Sequence, residues 1–350
     1  MPPLALPPLA LPSLALSPLA LPPLALPPLA LAVLMAIWMA PAMAFECGKA
    51  TTDAERAICA DPDLKALDDR MAAAYTALRA PMTTAERTGL ALSQKSWIFE
   101  REACVERSDG AALCIGDKTR GRLRLLLGRA ESGPGVGSRI APSFIARAAD
   151  GDRYGLEVTL LRFATPESDG QRRLNELADS LEASLPGRVP SDASNPEYYF
   201  FSTAMRVTYA GPVLISAEVD FGSYDGGAHG STSTQHANIL ADGSFLAADQ
   251  VFSAKAQARI TADCRDQIAT IKARRAALDG RTYDAASDLD LNLGTVAEHM
   301  ASSEYWGLSD QRMVVDFDPY EVGFYAEGAF QCSFSLSDLR ALALPGAVLP

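Results

Sequence analysis

A glycine-rich stretch at 223–237, SYDGGAHGSTSTQHA, contains two of the three histidines of this 350-residue chain, His229 and His236, together with Asp225. Such side chains serve as general acids and bases and as metal ligands, and a neighbouring serine can act as a nucleophile. The G-x-S-x-G turn of nucleophilic hydrolases is not in this stretch, and a zinc site would need ligands from elsewhere, such as His299. The stretch is therefore interpreted as a glycine-rich turn between two strands, with polar side chains on its rim.

Two acidic motifs offer alternative chemistry. In DLDLNLG at 288–294, oxygen ligands occupy alternate positions as in a calcium loop, but the glycine comes one residue late and His299 stands at the last ligand position. In VVDFDPYE, Asp316 and Asp318 would share one face of a strand and could divide the roles of acid and base if their pKa values differed. Both motifs also fit ordinary exposed or half-buried strands, so we predict no catalytic residue, no metal and no cofactor.

The first 44 residues repeat a PPLAL-like unit, then continue into an apolar run from Leu29 to Met39 and the tripeptide Ala42-Met43-Ala44. Alternating prolines prevent a folded core, and the small-x-small pattern is typical of a signal-peptidase site. We predict a low-complexity leader and signal peptide over 1–44, cleaved near Ala44, and a periplasmic or secreted protein. No Lys or Arg precedes the apolar run, which departs from the usual signal, and a retained membrane anchor is the alternative.

The cysteines indicate a disulfide framework. An even number of cysteines behind an export signal is typical of disulfide-bonded proteins, and without C-x-x-C spacing a zinc or thioredoxin-like site is not indicated. Cys104 and Cys114 bracket a short polar loop, which favours their pairing and leaves Cys47 for Cys59, although four cysteines allow three connectivities. The six residues are Cys47, Cys59, Cys104, Cys114, Cys264 and Cys332, so the last two form the remaining pair.

Charge divides the chain into two parts. Residues 45–129 contain 14 Lys and Arg against 13 Asp and Glu, a net charge of +1, whereas residues 130–350 contain 17 against 30, a net charge of −13. An acidic surface repels nucleic acid and attracts cationic molecules. We therefore predict no nucleic-acid binding and, if the partner is charged, a cationic one.

The patterns of residues along the chain predict two domains. Residues 45–129 have capping-box starts and apolar positions at helical spacing, which predicts a small all-α, disulfide-stapled helical bundle. Residues 130–140 are rich in Gly, Pro and Ser and predict a linker. Residues 141–350 mix β-branched and aromatic runs with helical patterns, which predicts an α+β domain with a mainly antiparallel sheet. Among its expected late strands is Val322–Phe334.

Two stretches resemble known families. Residues 46–129, with ICADPDLKALD and a W-x-x-x-R-x-x-C step, resemble the LprI-type lysozyme-inhibitor family of exported bacterial proteins. Residues 141–350, with YDGGAHGSTSTQHANILADGSFLAADQVF and VDFDPYEVGFYAEGAF, resemble the extracytoplasmic domain of RsiV-type anti-sigma factors, also found attached to a PdaC-type peptidoglycan deacetylase. The resemblances imply a protein of the bacterial envelope that binds and inhibits lysozyme or a related cationic muramidase.

The implied contact surface has two elements, the loop from Tyr224 to Gly230 and the segment from Pro319 to Tyr325. Glycines permit close approach of the backbone, and exposed aromatic side chains can anchor a partner. The expected partner-binding residues are Tyr224, Asp225, Gly226, Gly227, His229, Gly230, Pro319, Tyr320 and Tyr325.

Two other functions remain open at the level of the sequence. One is a peptidoglycan-directed hydrolase that uses Asp316 or Asp318, or a metal ion held by His229 and His236. The other is a glycan-binding or assembly module of the envelope, associated with peptidoglycan.

Overall fold

The computed structural model describes residues 45–106, 110–148, 154–185, 199–224, 226–278, 280–284 and 293–350. The predicted leader with its cleavage site near Ala44, the acidic positions of the 288–294 motif and Asp225 lie outside the described residues. Within the described ranges, no helix combines the length and the apolar character needed to cross a membrane.

The described chain begins with a helical region whose helix starts are set by local caps. The hydroxyls of Thr52 and Thr83 each accept the backbone N–H three residues on, and Glu55 and Glu86 bond back to the cap residues, so both predicted capping boxes are present. Asp61 caps the next helix, which has proline at its first position. The helices are α1 (Asp53–Ala60), α2 (Pro62–Arg79), α3 (Thr84–Glu102) and α4 (Ala111–Leu126).

The helical region packs around an apolar core and one buried ion pair. Met71 of α2, Leu90 and Trp97 of α3 and Leu126 of α4 are buried together. Arg101 lies 2.8 Å from the carboxylate of Asp68, and both side chains are at most 5% exposed. Disulfides Cys47–Cys59 and Cys104–Cys114 join the N-terminal segment to α1 and close the α3–α4 connection.

A five-stranded sheet follows, in the order β1-β2-β3-β4-β5. All neighbouring pairs are antiparallel except β2 and β3, which are parallel. Between them the chain forms helix α5 (Asp169–Ser184), which packs Leu174 and Ala178 against one face of the sheet. The strands are β1 (Ile140–Ala148), β2 (Tyr154–Phe163), β3 (Tyr199–Ala210), β4 (Leu214–Tyr224) and β5 (Ser231–Leu240).

A second, three-stranded antiparallel sheet packs near β4 and β5. It consists of β6 (Trp306–Leu308), β7 (Arg312–Phe317) and β8 (Phe330–Ser335). The buried rings of Trp306 and Phe317 share a core with Ile260 and Ile268 of the long helix α7. The helices around this sheet are α6 (Ala248–Val251), α7 (Ala254–Leu278), α8 (Leu293–Ala301) and α9 (Leu336–Leu342).

The third disulfide, Cys264–Cys332, joins α7 to β8, so every cysteine is in a disulfide bond. The predicted disulfide framework is confirmed, and its pairs are those that the sequence favours. The coarse fold prediction, a disulfide-bonded helical region followed by a region with a mainly antiparallel sheet, is also confirmed.

The helical region packs directly against the five-stranded sheet. Phe144 of β1 lies in the same apolar cluster as Leu90 and Trp97, and Ser96 of α3 donates a hydrogen bond to Glu157 of β2 at 2.7 Å. The segment 130–140, expected to be a linker, lies along β3: the N–H of Glu131 donates to the carbonyl of Val207, and other bonds follow. The domain boundaries stay a prediction.

Two local expectations differ from the structure. Val322–Phe334 is not one strand, because residues 325–327 form a 3-10 helix and Gly328, with φ of 72°, turns the chain before β8. Strand β1 is missing from the sequence reasoning because Pro142 interrupts its pattern, and the structure places β1 at an edge of the sheet, where proline is tolerated.

The contact between α3 and β1 predicts opposite effects for two glycine substitutions. A Cβ at Gly89 would lie 2.5 Å from the carbonyl oxygen of Phe144, whereas a Cβ at Gly121 of α4 would make only ordinary contacts. We expect Gly89→Ala to lower the free energy of unfolding by about 1–3 kcal/mol. Gly121→Ala should raise it by up to about 1 kcal/mol, since alanine favours helix. Urea unfolding of both variants tests this, and a stabilised Gly89→Ala variant would contradict the packing.

Candidate functional site

The loop between β4 and β5 has a backbone that depends on glycine. Gly226 and Gly227 have φ values of 100° and 101°, which other residues rarely adopt. A Cβ at Gly230 would lie 2.7 Å from the carbonyl oxygen of Ser223. The Tyr224 hydroxyl donates to the carbonyl of Gly227 at 3.0 Å, which closes the turn.

The second expected element, the segment from Pro319 to Tyr325, is a turn that Glu321 holds in place. The N–H of Asp318 donates to the Glu321 carboxylate at 2.7 Å, and Nε2 of His299 lies 3.5 Å from the same carboxylate. Tyr320 at the tip has a φ of 77° and is 63% exposed. Holding a tyrosine in the left-handed region costs free energy. The anchored turn therefore presents this ring to solvent.

The two elements meet and stack their rings. The imidazole of His229 stacks on Tyr325, with ring centroids 3.5 Å apart and an interplanar angle of 17°. Its Nε2 lies 3.1 Å from the hydroxyl of Tyr320, and the Tyr325 hydroxyl donates to the carbonyl of Gly230 at 2.9 Å. We call His229, Tyr320 and Tyr325, together with Phe324, which precedes Tyr325 in the chain and is 62% exposed, the aromatic patch.

The structure does not join all of the expected residues to the aromatic patch. Tyr224 instead stacks on Tyr199 of β3, with centroids 6.5 Å apart. Pro319 is half-buried at the start of the second element. Asp225 lies outside the described residues, so its position relative to the patch stays a prediction.

A polar cluster joins the two sheets. It consists of Arg206 of β3, Glu218 of β4, His236 of β5 and Asp316 of β7. His236 has no exposed side-chain surface, its Nε2 lies 2.9 Å from the Asp316 carboxylate, and its Nδ1 lies 4.0 Å from Glu218. Arg206 forms an ion pair with Glu218. We call these four residues the inter-sheet polar cluster.

Further contacts extend the cluster towards the patch. The N–H of Thr234 donates to Asp318 at 3.0 Å, and the Thr234 hydroxyl donates to Asp220 at 3.0 Å. Burial, together with Glu321, raises the pKa of the Asp318 carboxyl to about 6. Burial, together with Glu218, also raises the pKa of the half-buried Asp220 to about 6. Two carboxyl groups near β5 thus titrate closer to neutrality than ordinary aspartates.

Glu218, His236 and Asp316 are candidate metal ligands. Each offers one ligand atom, and these atoms lie within 4.8 Å of one another. However, the guanidinium of Arg206 already bonds to Glu218, and Nε2 of His236 is hydrogen bonded to Asp316. Nδ1 of His236 has no hydrogen-bond partner among the described residues, but a divalent cation shared with Glu218 would have to displace Arg206 and would sit next to its positive charge. The donor set therefore fits a hydrogen-bonded ion cluster better than a metal site.

The suggestion that His229 and His236 hold one metal ion is wrong. From Ser231 the chain runs as strand β5 to His236, and a rise of about 3.3 Å per residue places the Cα atoms of these two residues about 16 Å apart. The rings also have different partners, because Nε2 of His229 lies 3.1 Å from the Tyr320 hydroxyl and Nε2 of His236 lies 2.9 Å from Asp316. His299 is not nearby in a chelating role either: its ring is stacked between Tyr305 and Phe317, with centroids 3.6 Å and 4.7 Å away. Its Nδ1 lies 3.0 Å from the carbonyl oxygen of Asp316.

Sequence reasoning missed Arg206 and Glu218. A signal was present, because Ser216, Glu218 and Asp220 alternate with apolar residues along β4 and so mark one polar face of that strand. What the pattern could not show is that Glu218 lies across from His236 on β5 and across from Arg206 on β3. Pairing of strands, and not any single strand, brings the charges together.

Comparison with known proteins gives one family match. The model of the family described as lysozyme inhibitor LprI matches residues 47–126, under a quarter of the chain. This match supports the resemblance of the helical region to that family, and the RsiV-type resemblance of residues 141–350 stays a prediction. No curated protein matches the chain.

Among the solved structures that are similar to the chain are two of the DUF3298 family. One is a DUF3298 family member from Bacteroides fragilis, which is 14% identical to this chain with a TM-score of 0.39. The match covers 59% of this chain and 92% of the chain of that structure. The other is a DUF3298 family protein from Pseudomonas aeruginosa, which is 12% identical to this chain with a TM-score of 0.41. The match covers 60% of this chain and 97% of the chain of that structure.

The raised pKa of Asp318 predicts a pH-dependent effect of Asp318→Asn. Because the folded-state pKa lies above that of the unfolded chain, ionisation of Asp318 destabilises the fold as the pH rises through about 6. Asparagine keeps an acceptor for Thr234 without the charge. We expect the difference in free energy of unfolding, variant minus wild type, to be larger at pH 7.5 than at pH 4.5. Urea unfolding at both pH values measures this difference. Equal differences at both pH values, or the same gain for the exposed control Asp249→Asn, would contradict this.

Proposed function

We propose that this protein is an extracytoplasmic binding protein that inhibits a lysozyme-like, cationic muramidase. The observation that carries the proposal is the match of residues 47–126 to the family described as lysozyme inhibitor LprI. The three disulfides and this match fit an extracytoplasmic protein. Export through the predicted signal peptide, to the periplasm or the medium, is part of the proposal.

The charge of the chain supports a cationic partner. Residues 130–350 have a net charge of −13, and the chain as a whole has −12. An acidic surface accelerates its encounter with a cationic enzyme, and this acceleration weakens as salt screens the charges. The helical region, with a net charge of +1, lacks this long-range attraction, so it would act through contacts at short range.

We propose the aromatic patch and the glycine loop as the contact surface on the α+β region. Two rings of the patch, Tyr320 and Phe324, are more than 60% exposed, and large exposed aromatic side chains are common anchors in interfaces. The hydrogen bond between His229 and Tyr320 and the bond from Tyr325 to Gly230 fix the loop against the second element. A surface held in one arrangement loses less conformational entropy on binding.

A peptidoglycan-directed hydrolase is the second candidate, favoured by the raised pKa of Asp318 beside Asp316. Asp316, however, is bonded to both His236 and Gln331, at 2.9 Å and 2.7 Å, so its oxygens are engaged. Turnover of peptidoglycan by the purified protein, or a stoichiometric metal ion, would favour this candidate. Retention of glycan polymer in the absence of lysozyme would instead favour the third candidate, a glycan-binding module.

The experiment that tests the proposal is a titration of the disulfide-bonded protein against several purified cationic lysozymes at two salt concentrations. Binding and residual lysozyme activity are read from the same mixtures. We expect saturable loss of activity, with an association rate that falls at the higher salt concentration. Failure to bind or inhibit any of them would contradict the proposal.

A substitution at the tip of the patch separates its role from folding. Asparagine tolerates the left-handed conformation of Tyr320, so Tyr320→Asn removes the ring without forcing the turn to change. We expect the affinity for an inhibited lysozyme to fall about 30-fold, the loss of about 2 kcal/mol typical of an anchor. The control is Leu278→Asn on α7, where the leucine is 89% exposed. Equal affinities of the two variants would exclude the patch from the interface.

A further inference from the structure

The helical region and the second sheet pack on the same face of the five-stranded sheet. Paired residues of neighbouring strands point to the same face, and the register pairs Thr159 of β2 with Ala204 of β3. On this face the hydroxyl of Ser93 on α3 lies 3.3 Å from the Thr159 hydroxyl. Arg206, two residues beyond Ala204, points the same way and pairs with Glu218 in the inter-sheet polar cluster, which joins the second sheet. The opposite face is covered by α5.

Between these two covers, side chains of β3 are open to solvent. β3 is the middle strand of the sheet, yet Ala204 is exposed, and the side chains of Arg206 and of Asp220 on β4 are 42% and 43% exposed. A central strand leaves side chains in water only where no second layer lies over it. The helical region and the second sheet thus leave a gap between them. We call Ala204, Arg206 and Asp220 the β3 floor.

The last turn of α3 and the aromatic patch lie at the same end of this gap. Ser93 contacts Thr159, and the later Ser96 donates to Glu157 at 2.7 Å, so α3 runs towards the N-terminal ends of β2 and β3. The loop between β4 and β5 is at that end as well, because β4 is antiparallel to β3. The second element of the patch follows β7 of the second sheet. The helical region and the patch therefore lie on either side of the β3 floor.

Exposed apolar side chains stand on both sides of the gap. On α3, Phe99 is 79% exposed and Ile98 is 40% exposed, and both lie within one turn of Ser96. In the patch, Tyr320 and Phe324 are more than 60% exposed. Exposed apolar groups of this size are common where a partner binds. Two such groups on one face of a sheet can contact one molecule.

The β3 floor has an excess of negative charge. The guanidinium of Arg206 pairs with Glu218 and lies 3.6 Å and 3.7 Å from the carboxylates of Glu131 and Asp220. Three carboxylates thus surround one cation. Residues 93–102 of α3 have two positive and two negative side chains, so they do not alter this excess. The charge of the floor therefore favours a cationic partner, as does the charge of the chain as a whole.

From this arrangement we infer that the helical region and the aromatic patch bind one molecule of the partner together, across the β3 floor. The inference rests on the proposed function for the nature of the partner, a cationic muramidase, and adds the contact surface and a one-to-one stoichiometry. When two contacts share one partner, the second forms within the complex at a high effective concentration. Loss of either contact then weakens the whole complex. Two independent sites would instead bind two molecules per chain.

Phe99→Ala tests the contact of the helical region, because it removes an exposed ring and introduces a residue that favours helix. Its control is Leu127→Ala, at a leucine of the same region that is 43% exposed. Leu127 lies at the opposite end of the sheet, since the next residue, Gly128, accepts the N–H of Ile140 at the start of β1. Tyr320→Asn removes the exposed ring at the tip of the patch.

Ala204→Arg tests the floor, because a long cationic side chain obstructs the gap and repels a cationic partner. Its control is Ala277→Arg, which adds the same charge at an exposed position of α7. Both variants therefore change the net charge of the chain equally. Urea unfolding of every variant shows whether it is folded, and if Ala204→Arg does not fold, the Phe99 pair decides.

The measurement is a calorimetric titration of each variant with the purified cationic lysozymes. We expect one lysozyme molecule per chain for the wild type. Phe99→Ala and Ala204→Arg should each weaken the affinity at least about tenfold, whereas both controls should stay within about twofold of the wild type. Tyr320→Asn should weaken the binding of the same single molecule, without leaving a second, unaffected site.

The outcomes separate this inference from the proposed function. If two lysozyme molecules bind per chain, or if Phe99→Ala binds like the wild type, the inference is wrong and the binding of lysozyme stands. The same holds if Ala204→Arg is folded and binds like its control. If the wild type binds none of the lysozymes, the proposed function is wrong and the inference falls with it.

Discussion

The imidazole of His236, without any exposed surface, is the constraint on which the described arrangement depends. Burying a polar ring costs free energy unless hydrogen-bond partners replace water; the bond to Asp316 supplies a partner for Nε2, whereas Nδ1 has none among the described residues. That bond crosses from β5 of the first sheet to β7 of the second. It is sterically allowed because β6 has glycine at 307, where a Cβ would lie 2.9 Å from the ring. This contact holds the two sheets together with the bonds from Asn238 to Trp306 and from Leu308 to Ser216.

The position of the aromatic patch follows in turn. With β7 held beside β5, the carboxylate of Asp318 reaches the N–H of Thr234, and the chain beyond it turns over the glycine loop. The carboxylate of Glu321 holds that turn, because it accepts the N–H of Asp318 and lies 3.5 Å from Nε2 of His299. Residues 229 and 325, almost a hundred positions apart in sequence, then stack as neighbouring rings. The buried cluster is thus a support for the surface, and Arg206 offsets part of its negative charge.

Sequence reasoning could predict the parts of this structure that depend on local chemistry. The caps at Thr52 and Thr83 need only a hydroxyl and a carboxylate three residues apart, and the turn between β3 and β4 needs only Gly211 and Pro212. The inter-sheet polar cluster could not be predicted, because its members come from four strands whose pairing is not visible in any one of them.

The most direct test of this account is a double-mutant cycle between His236 and Asp316. The variants are His236→Phe, Asp316→Ala and the combination, and the free energy of unfolding is measured for each by urea denaturation. If the imidazole and the carboxylate hold the two sheets together, the coupling energy should be at least about 1 kcal/mol. If the two effects add to within about 0.3 kcal/mol, the bond does not hold β7 against β5 and the account of the surface is wrong.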